Sequence, residues 1–218
     1  MTIADLCRRS YTLRSLSAIA VFGFGVTALG LFGLSIAFAG PIEDAWEGYR
    51  AGIAGNDRLS IELLTQAIES GKLPPKALLA ASINRGASLI KLSRFQEAIA
   101  DYDRVLKAEP NNSIALANKA LALAKWGQYD KAVALFTSAL AIDPDNAKTL
   151  LERGNAYFDE ENYKEAIADY DNALKLSPDL LQAKNGRLEA SRLIQHPDQS
   201  CECTPANVQQ TESEGSNR

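Results

Sequence analysis

From residue 79 to residue 180, apolar and polar positions alternate in a rhythm that returns every 34 residues. Pro110, Pro144 and Pro178 are spaced 34 apart, and the same step links Ala98, Ala132 and Ala166. Three further columns keep it: Tyr102, Phe136 and Tyr170; Phe95, Tyr129 and Tyr163; Leu106, Leu140 and Leu174. Within residues 146–179, Leu150, Leu151, Gly154, Tyr157 and Phe158 recur at three- and four-residue steps, the spacing of one helix face. Asp159, Glu160, Glu161 and Asn162 then make a polar turn. A second apolar stripe comes next in Tyr163, Ala166, Ile167, Tyr170, Ala173 and Leu174. That helix must stop by Ser177, since a residue before proline is disfavoured in helical geometry and Pro178 has no backbone donor. Each unit is therefore expected to be two antiparallel helices. Gly154 and Ala166 are the short side chains that let them cross closely, and Tyr163 and Tyr170 supply bulk for a neighbour to cover.

These columns resemble the tetratricopeptide repeat, in units 79–112, 113–146 and 147–180. The family's small and aromatic positions are filled by Gly86, Ala120 and Gly154; Leu89, Leu123 and Tyr157; Ala98, Ala132 and Ala166; Tyr102, Phe136 and Tyr170; Val105, Ala139 and Ala173; and the three prolines. The departures are Ser82, Leu116 and Leu150 at the early tryptophan position, and Val105 for alanine. The resemblance implies an all-α solenoid of three clear helix-pair repeats. Residues 41–74 read as a degenerate N-terminal pair, with Gly48 and Ala51 on the first helix and Ser60, Leu64, Ala67 and Ile68 on the second. Residues 181–195 read as a C-terminal capping helix over the last repeat face.

The resemblance also implies a groove lined by the second, fifth, ninth, twelfth and thirteenth positions of each unit. Here these are Ala80, Ile83, Ala87, Ile90 and Lys91; Ile114, Ala117, Leu121, Ala124 and Lys125; and Lys148, Leu151, Asn155, Phe158 and Asp159. Relatives that clamp acidic chaperone C-termini place Lys and Asn at the fifth and ninth positions of their first unit. Ile83 and Ala87 stand there instead, so the expected occupant is an apolar or amphipathic helical segment of a partner protein or peptide. The chain's own tail or first helix pair is the alternative cover for this lining.

The ends differ from the middle. Arg8, Arg9 and Arg14 precede an apolar run over residues 16–39, which closes on Ala37, Phe38, Ala39 and Gly40. A cationic start, apolar centre and small residues at Ala37 and Ala39 are the layout of an export signal cleaved before Gly40. As a helix, residues 18–39 would also be about 33 Å long, enough to cross a bilayer of about 30 Å as a retained anchor. Either way the arginines favour a cytoplasmic N-terminus and place the chain beyond Gly40 outside the cytoplasm, in a bacterial periplasm. Membrane contact is then confined to residues 16–39, if uncleaved. Arg8 and Arg9 only weakly resemble a twin-arginine signal, because Thr12 replaces the usual apolar residue, and Cys7 precedes the apolar run, unlike a lipoprotein cysteine.

Composition narrows the chemistry. The 218 residues are 46% hydrophobic and carry a net charge of −4, a globular profile rather than a collagen-like or disordered one. Without residues 1–39 the balance is 20 basic (23 − 3) against 26 acidic (27 − 1), a surface that does not suit nucleic acid. Residues 196–218 are polar and expected to be disordered; Cys201 and Cys203 lie there with His196 as the single histidine, which falls short of a metal-ligand set. No cofactor motif, nucleophile elbow or phosphate loop appears. Asp101 with Asp103, and Asp169 with Asp171, recur with the repeat, and the expectation is a solvated helix face rather than acid–base catalysis. A non-catalytic binding module is the leading reading; a self-associating envelope assembly factor is the second, and an enzyme the third.

Overall fold

The computed structural model describes residues 40–196. The leader, with Ala37 and Ala39, and the stretch holding Cys201 and Cys203 lie outside the described residues. Among the described residues there are nine helices and no strand: α1 Pro41–Ile53, α2 Asp57–Glu69, α3 Pro75–Lys91, α4 Phe95–Ala108, α5 Ser113–Lys125, α6 Tyr129–Ile142, α7 Ala147–Asp159, α8 Tyr163–Leu176 and α9 Leu181–Gln195. None of them is long and apolar enough to cross a membrane. The chain divides into two compact units between Pro144 and Asp145, the first ending with α6 and the second beginning with α7.

Local signals account for the helix ends. Asn56, Asn112 and Asn146 each accept a hydrogen bond from a backbone N–H three residues on, at 3.3, 2.9 and 3.0 Å. An amide oxygen there satisfies one of the donors that every helix start leaves bare. Leu180, at the same point of the last unit, provides no side-chain cap. Pro75 extends α3 a full turn upstream of Leu79, where its fixed φ and missing donor suit the first helical position. Each turn between paired helices reverses through one left-handed residue: Gly55, Ser93, Gly127 and Glu161 have φ of 80°, 59°, 80° and 61°. The last three are one repeat apart, so the turn geometry repeats even where glycine does not.

In the first unit each helix packs on the next, from α1 through to α6. The first helices also touch one another, α1 with α3 and α3 with α5, whereas no comparable contact joins α2 to α4 or α4 to α6. The first-helix side is therefore the inner side of this unit. Its core joins Ile61 of α2, Leu89 of α3, Tyr102 and Val105 of α4, and Ala115 and Ala122 of α5. Ala45, Leu64, Ala67 and Ala81 form a second cluster across α1, α2 and α3. In the second unit α8 packs on both α7 and α9, and α7 touches α9. Ala166 and Tyr170 of α8 and Ala183 and Ala190 of α9 are buried.

The glycines explain how closely the helices cross. A Cβ on Gly86 would lie 2.7 Å from Tyr102 Cζ, and one on Gly154 would lie 2.8 Å from Tyr170 Cε1. The second-helix aromatic lies directly over the first-helix glycine, so one column of small residues and one of rings form a single contact. Gly48 meets Leu64 Cγ in the same way at 2.7 Å, which registers α1 and α2 on the later pairs despite their divergent sequence.

Candidate functional site

The expected lining divides by burial. On α3, Ala80, Ile83 and Ala87 are half-buried, while Ile90 is buried in the core at 7% exposure. On α5, Ile114 is 59% exposed, and Ala117, Leu121 and Ala124 are half-buried. Ile83 and Leu121 each rest one side against the core cluster and leave the other open. These residues give adjacent first helices a shallow apolar surface with alanines between the larger side chains. Lys125 is exposed at its end. Lys91 is exposed too, but its Nζ donates to Gly52 O at 3.3 Å and pairs with Asp57 at 3.1 Å, so it ties α3 to the last turn of α1 and the start of α2.

In the second unit the corresponding positions are more polar. Lys148 and Asp159 are exposed, and Leu151 is buried at 3% exposure. Asn155 accepts a hydrogen bond from the Tyr170 hydroxyl at 2.9 Å. Phe158 is half-buried and meets Tyr163 edge-on, with ring centroids 5.4 Å apart. Ile90 and Leu151 thus act in packing; in the first unit Ala80, Ile83, Ala87, Ile114, Ala117, Leu121 and Ala124 keep an accessible side, and in the second unit Asn155 and Phe158 do.

Four residues on α1 were missed by carrying the family positions onto the three clear units alone. Matching Gly48 to Gly86 puts Ile42, Tyr49 and Ile53 at the places of Ala80, Ala87 and Lys91, with Trp46 at that of Asn84. Ile53 is 69% exposed, and the Trp46 and Tyr49 rings lie 5.5 Å apart at 33°. The sequence signal was the spacing of 42, 46, 49 and 53, a single helix stripe.

The paired acids correct an expectation. Asp101 and Asp169 do not lie on a solvated face: they are 1% and 3% exposed. Arg85 donates to Asp101 through Nε at 2.7 Å and Nη2 at 2.6 Å, and to Thr65 Oγ1 at 3.0 Å. Arg104 adds a bond to Asp101 at 2.8 Å. Arg153 grips Asp169 with the same fork at 2.7 Å on both oxygens. The bond to Asp101 raises the Arg85 pKa further above neutrality, so the guanidinium stays charged. Bidentate pairs of this kind satisfy buried carboxylates and leave no oxygen poised for proton transfer. Asp103 and Asp171 do stay outside, paired with Lys119 at 2.6 Å and Arg187 at 3.3 Å.

Comparison with known proteins bears on both fold and surface. Residues 83–147 and residues 147–180 match two family models described as tetratricopeptide repeat. Among solved structures, the chain is similar to the first TPR of Spaghetti (RPAP3) bound to the HSP90 peptide SRMEEVD, with 26% identity and a TM-score of 0.52. That match covers 54% of this chain and 93% of the other. The first TPR domain of human RPAP3 is 25% identical, with a TM-score of 0.53, over 56% of this chain and 96% of its own. YrrB, described as a TPR protein with an unusual peptide-binding site, shares the fold at 21% identity and a TM-score of 0.60, over 73% and 78% of the two chains. No curated protein sequence matches. Residues 83–180 are tetratricopeptide repeats, and the described fold is the all-α, paired-helix class of that solenoid.

Proposed function

We propose that the chain is a non-catalytic protein-interaction module, delivered out of the cytoplasm by residues 1–39, whose first-helix surface holds a peptide or partner helix. The observation that carries this is the open apolar surface on α3 and α5, where Ile83 and Leu121 each have one side on the core and one side free. Burying such side chains against a partner yields roughly 25 cal/mol per Å² of apolar area, which is the usual source of helix-in-groove affinity. A relative that holds a peptide, at 26% identity, supports the peptide class of ligand. Ile83 and Ala87 offer no charge to an acidic terminus, so the ligand here is apolar or amphipathic instead. The arginines of the leader set its direction, with the repeats in a bacterial periplasm.

A photo-crosslinking side chain at Leu121 or Ile83, introduced one at a time in the full chain in cells, should give a discrete adduct. The same probe at Ala100, exposed on α4, should give none. Equal adducts at Ala100 and Leu121 would sink the surface assignment. Self-association is a second reading favoured by Leu181 and Leu188 of α9, which are 66% and 71% exposed. It predicts a molar mass by light scattering that rises with concentration and falls back with Leu188→Lys.

A further inference from the structure

The stripe on α1 bears on whether the leader stays attached. Ile42, Trp46, Tyr49 and Ile53 are spaced at steps of four, three and four along the helix, apart from its buried face of Ala45, Gly48 and Ala51. Trp46 and Tyr49 are half-buried with their rings tilted against each other, and Ile53 is largely bare. Glu43, Glu47 and Arg50 form a separate, charged stripe. Residues 15–42 contain no charged side chain, so the uncharged run of the leader ends on the first residue of the stripe, Ile42. Between them Gly40 is extended, with φ −76° and ψ 164°, and Pro41 opens the helix. The helical geometry of α1 therefore begins at Pro41 and does not reach back through Gly40. Trp46 is about 9 Å along the helix from Gly40, at about 1.5 Å per residue. Tryptophan and tyrosine favour the boundary between acyl chains and water, where an apolar ring and a polar edge are both satisfied.

We propose that residues 16–39 are retained as an anchor and that α1 lies on the bilayer surface into which they insert, with Trp46 and Tyr49 at headgroup level. This rests on reading those residues as directed to a membrane, and it selects the anchor over the cleaved signal. The occupant of the stripe is the lipid interface, because the segment joined to its first residue is long and apolar enough to enter a bilayer.

Trp46 and Trp126 are the two tryptophans, so each can be observed alone in the full chain. In phosphatidylcholine vesicles carrying brominated acyl chains, a Trp126→Phe chain should show blue-shifted Trp46 emission quenched about twofold, as expected for a ring at the interface. A Trp46→Phe chain should leave Trp126, in the turn after α5, little quenched. The protein extracted from cell membranes should have the intact mass of a chain that keeps residues 1–39. A mass beginning at Gly40 would overturn the proposal while leaving export by a cleaved signal in place. Trp46 quenched no more than Trp126 would overturn the seating of α1 on lipid and assign the stripe to a protein partner, even with the leader inserted.

Discussion

Arg85, Gly86, Asp101 and Tyr102 in the first unit, and Arg153, Gly154, Asp169 and Tyr170 in the second, occupy the same places two repeats apart. Both sets contain a buried fork between arginine and aspartate, and both set a tyrosine ring over a glycine. They differ one position further along the first helix. Asn155 accepts the Tyr170 hydroxyl, whereas Ala87 stands at that place in the first unit, and the buried Tyr102 hydroxyl has no hydrogen-bond partner. The repeat thus specifies where a ring goes without specifying what its polar end meets. The repeat between them shows the alternative: Phe136 replaces the tyrosine, Ala120 the glycine and Leu135 the aspartate, while Lys119 turns back to Asp103. Removing both partners of a buried polar contact is tolerated by the fold; removing one is what costs stability.

The largest effect expected from disturbing this comparison comes at the aspartates. Asp101→Ala should cost about 3–5 kcal/mol, because it leaves Arg85 enclosed without its carboxylate and Arg104 without a partner it also bonds. Asp169→Ala should cost less, since the fork it removes involves Arg153 alone. Urea unfolding of each variant checks the order, and equal small losses would show that the forks contribute little. Next come the glycines. Gly86→Ala and Gly154→Ala each place a methyl within 2.8 Å of a ring atom, and overpacking of this kind costs about 1–3 kcal/mol. Similar losses in both units, read as shifts in the urea midpoint, would confirm that they share one contact.

The smallest effects separate the two tyrosines. Tyr170→Phe should lose about 1 kcal/mol with its bond to Asn155, while Tyr102→Phe should be neutral or stabilising because it removes an unmet donor. Ala87→Asn should reverse that asymmetry by giving Tyr102 an acceptor. Burial also pushes the Tyr170 pKa up to about 12, with smaller contributions from Asp159, Glu152 and Asp169, and burial raises Tyr102 as well. A folded-state pKa above the unfolded value of about 10 means stability is intact below that pH and falls as pH rises toward about 12. Unfolding midpoints measured across that window should decline in the parent chain and decline less in Tyr170→Phe.

Much of this was legible in sequence because helix pairing depends on columns. Gly86 under Tyr102, Gly154 under Tyr170 and the stop before Pro178 each come from residue size and backbone chemistry at fixed spacing. The expectation that Ile83 and Leu121 line a first-helix surface came from the family resemblance, and both side chains are half-buried against the core. The burial of Asp101 beside an exposed Asp103 was not, since two residues of one type, two apart on a helix, differ only in what a third helix brings to them. Nor was the tie of Lys91 to Asp57, which takes one lysine off the free edge of the expected groove.

By itself, the sequence determined the repeat, the ends of its helices, the small-and-aromatic columns and the uncharged run over residues 15–42. All of these depend on interactions within one turn or one helix pair. Tertiary structure alone decided which acid meets an arginine, that Ile90 and Leu151 face inward, and that the Trp46 and Tyr49 rings meet while Ile53 stays exposed. The reason is geometric: a side chain's burial is set by the neighbours that the stack assembles around it, and residue spacing along one helix does not contain them.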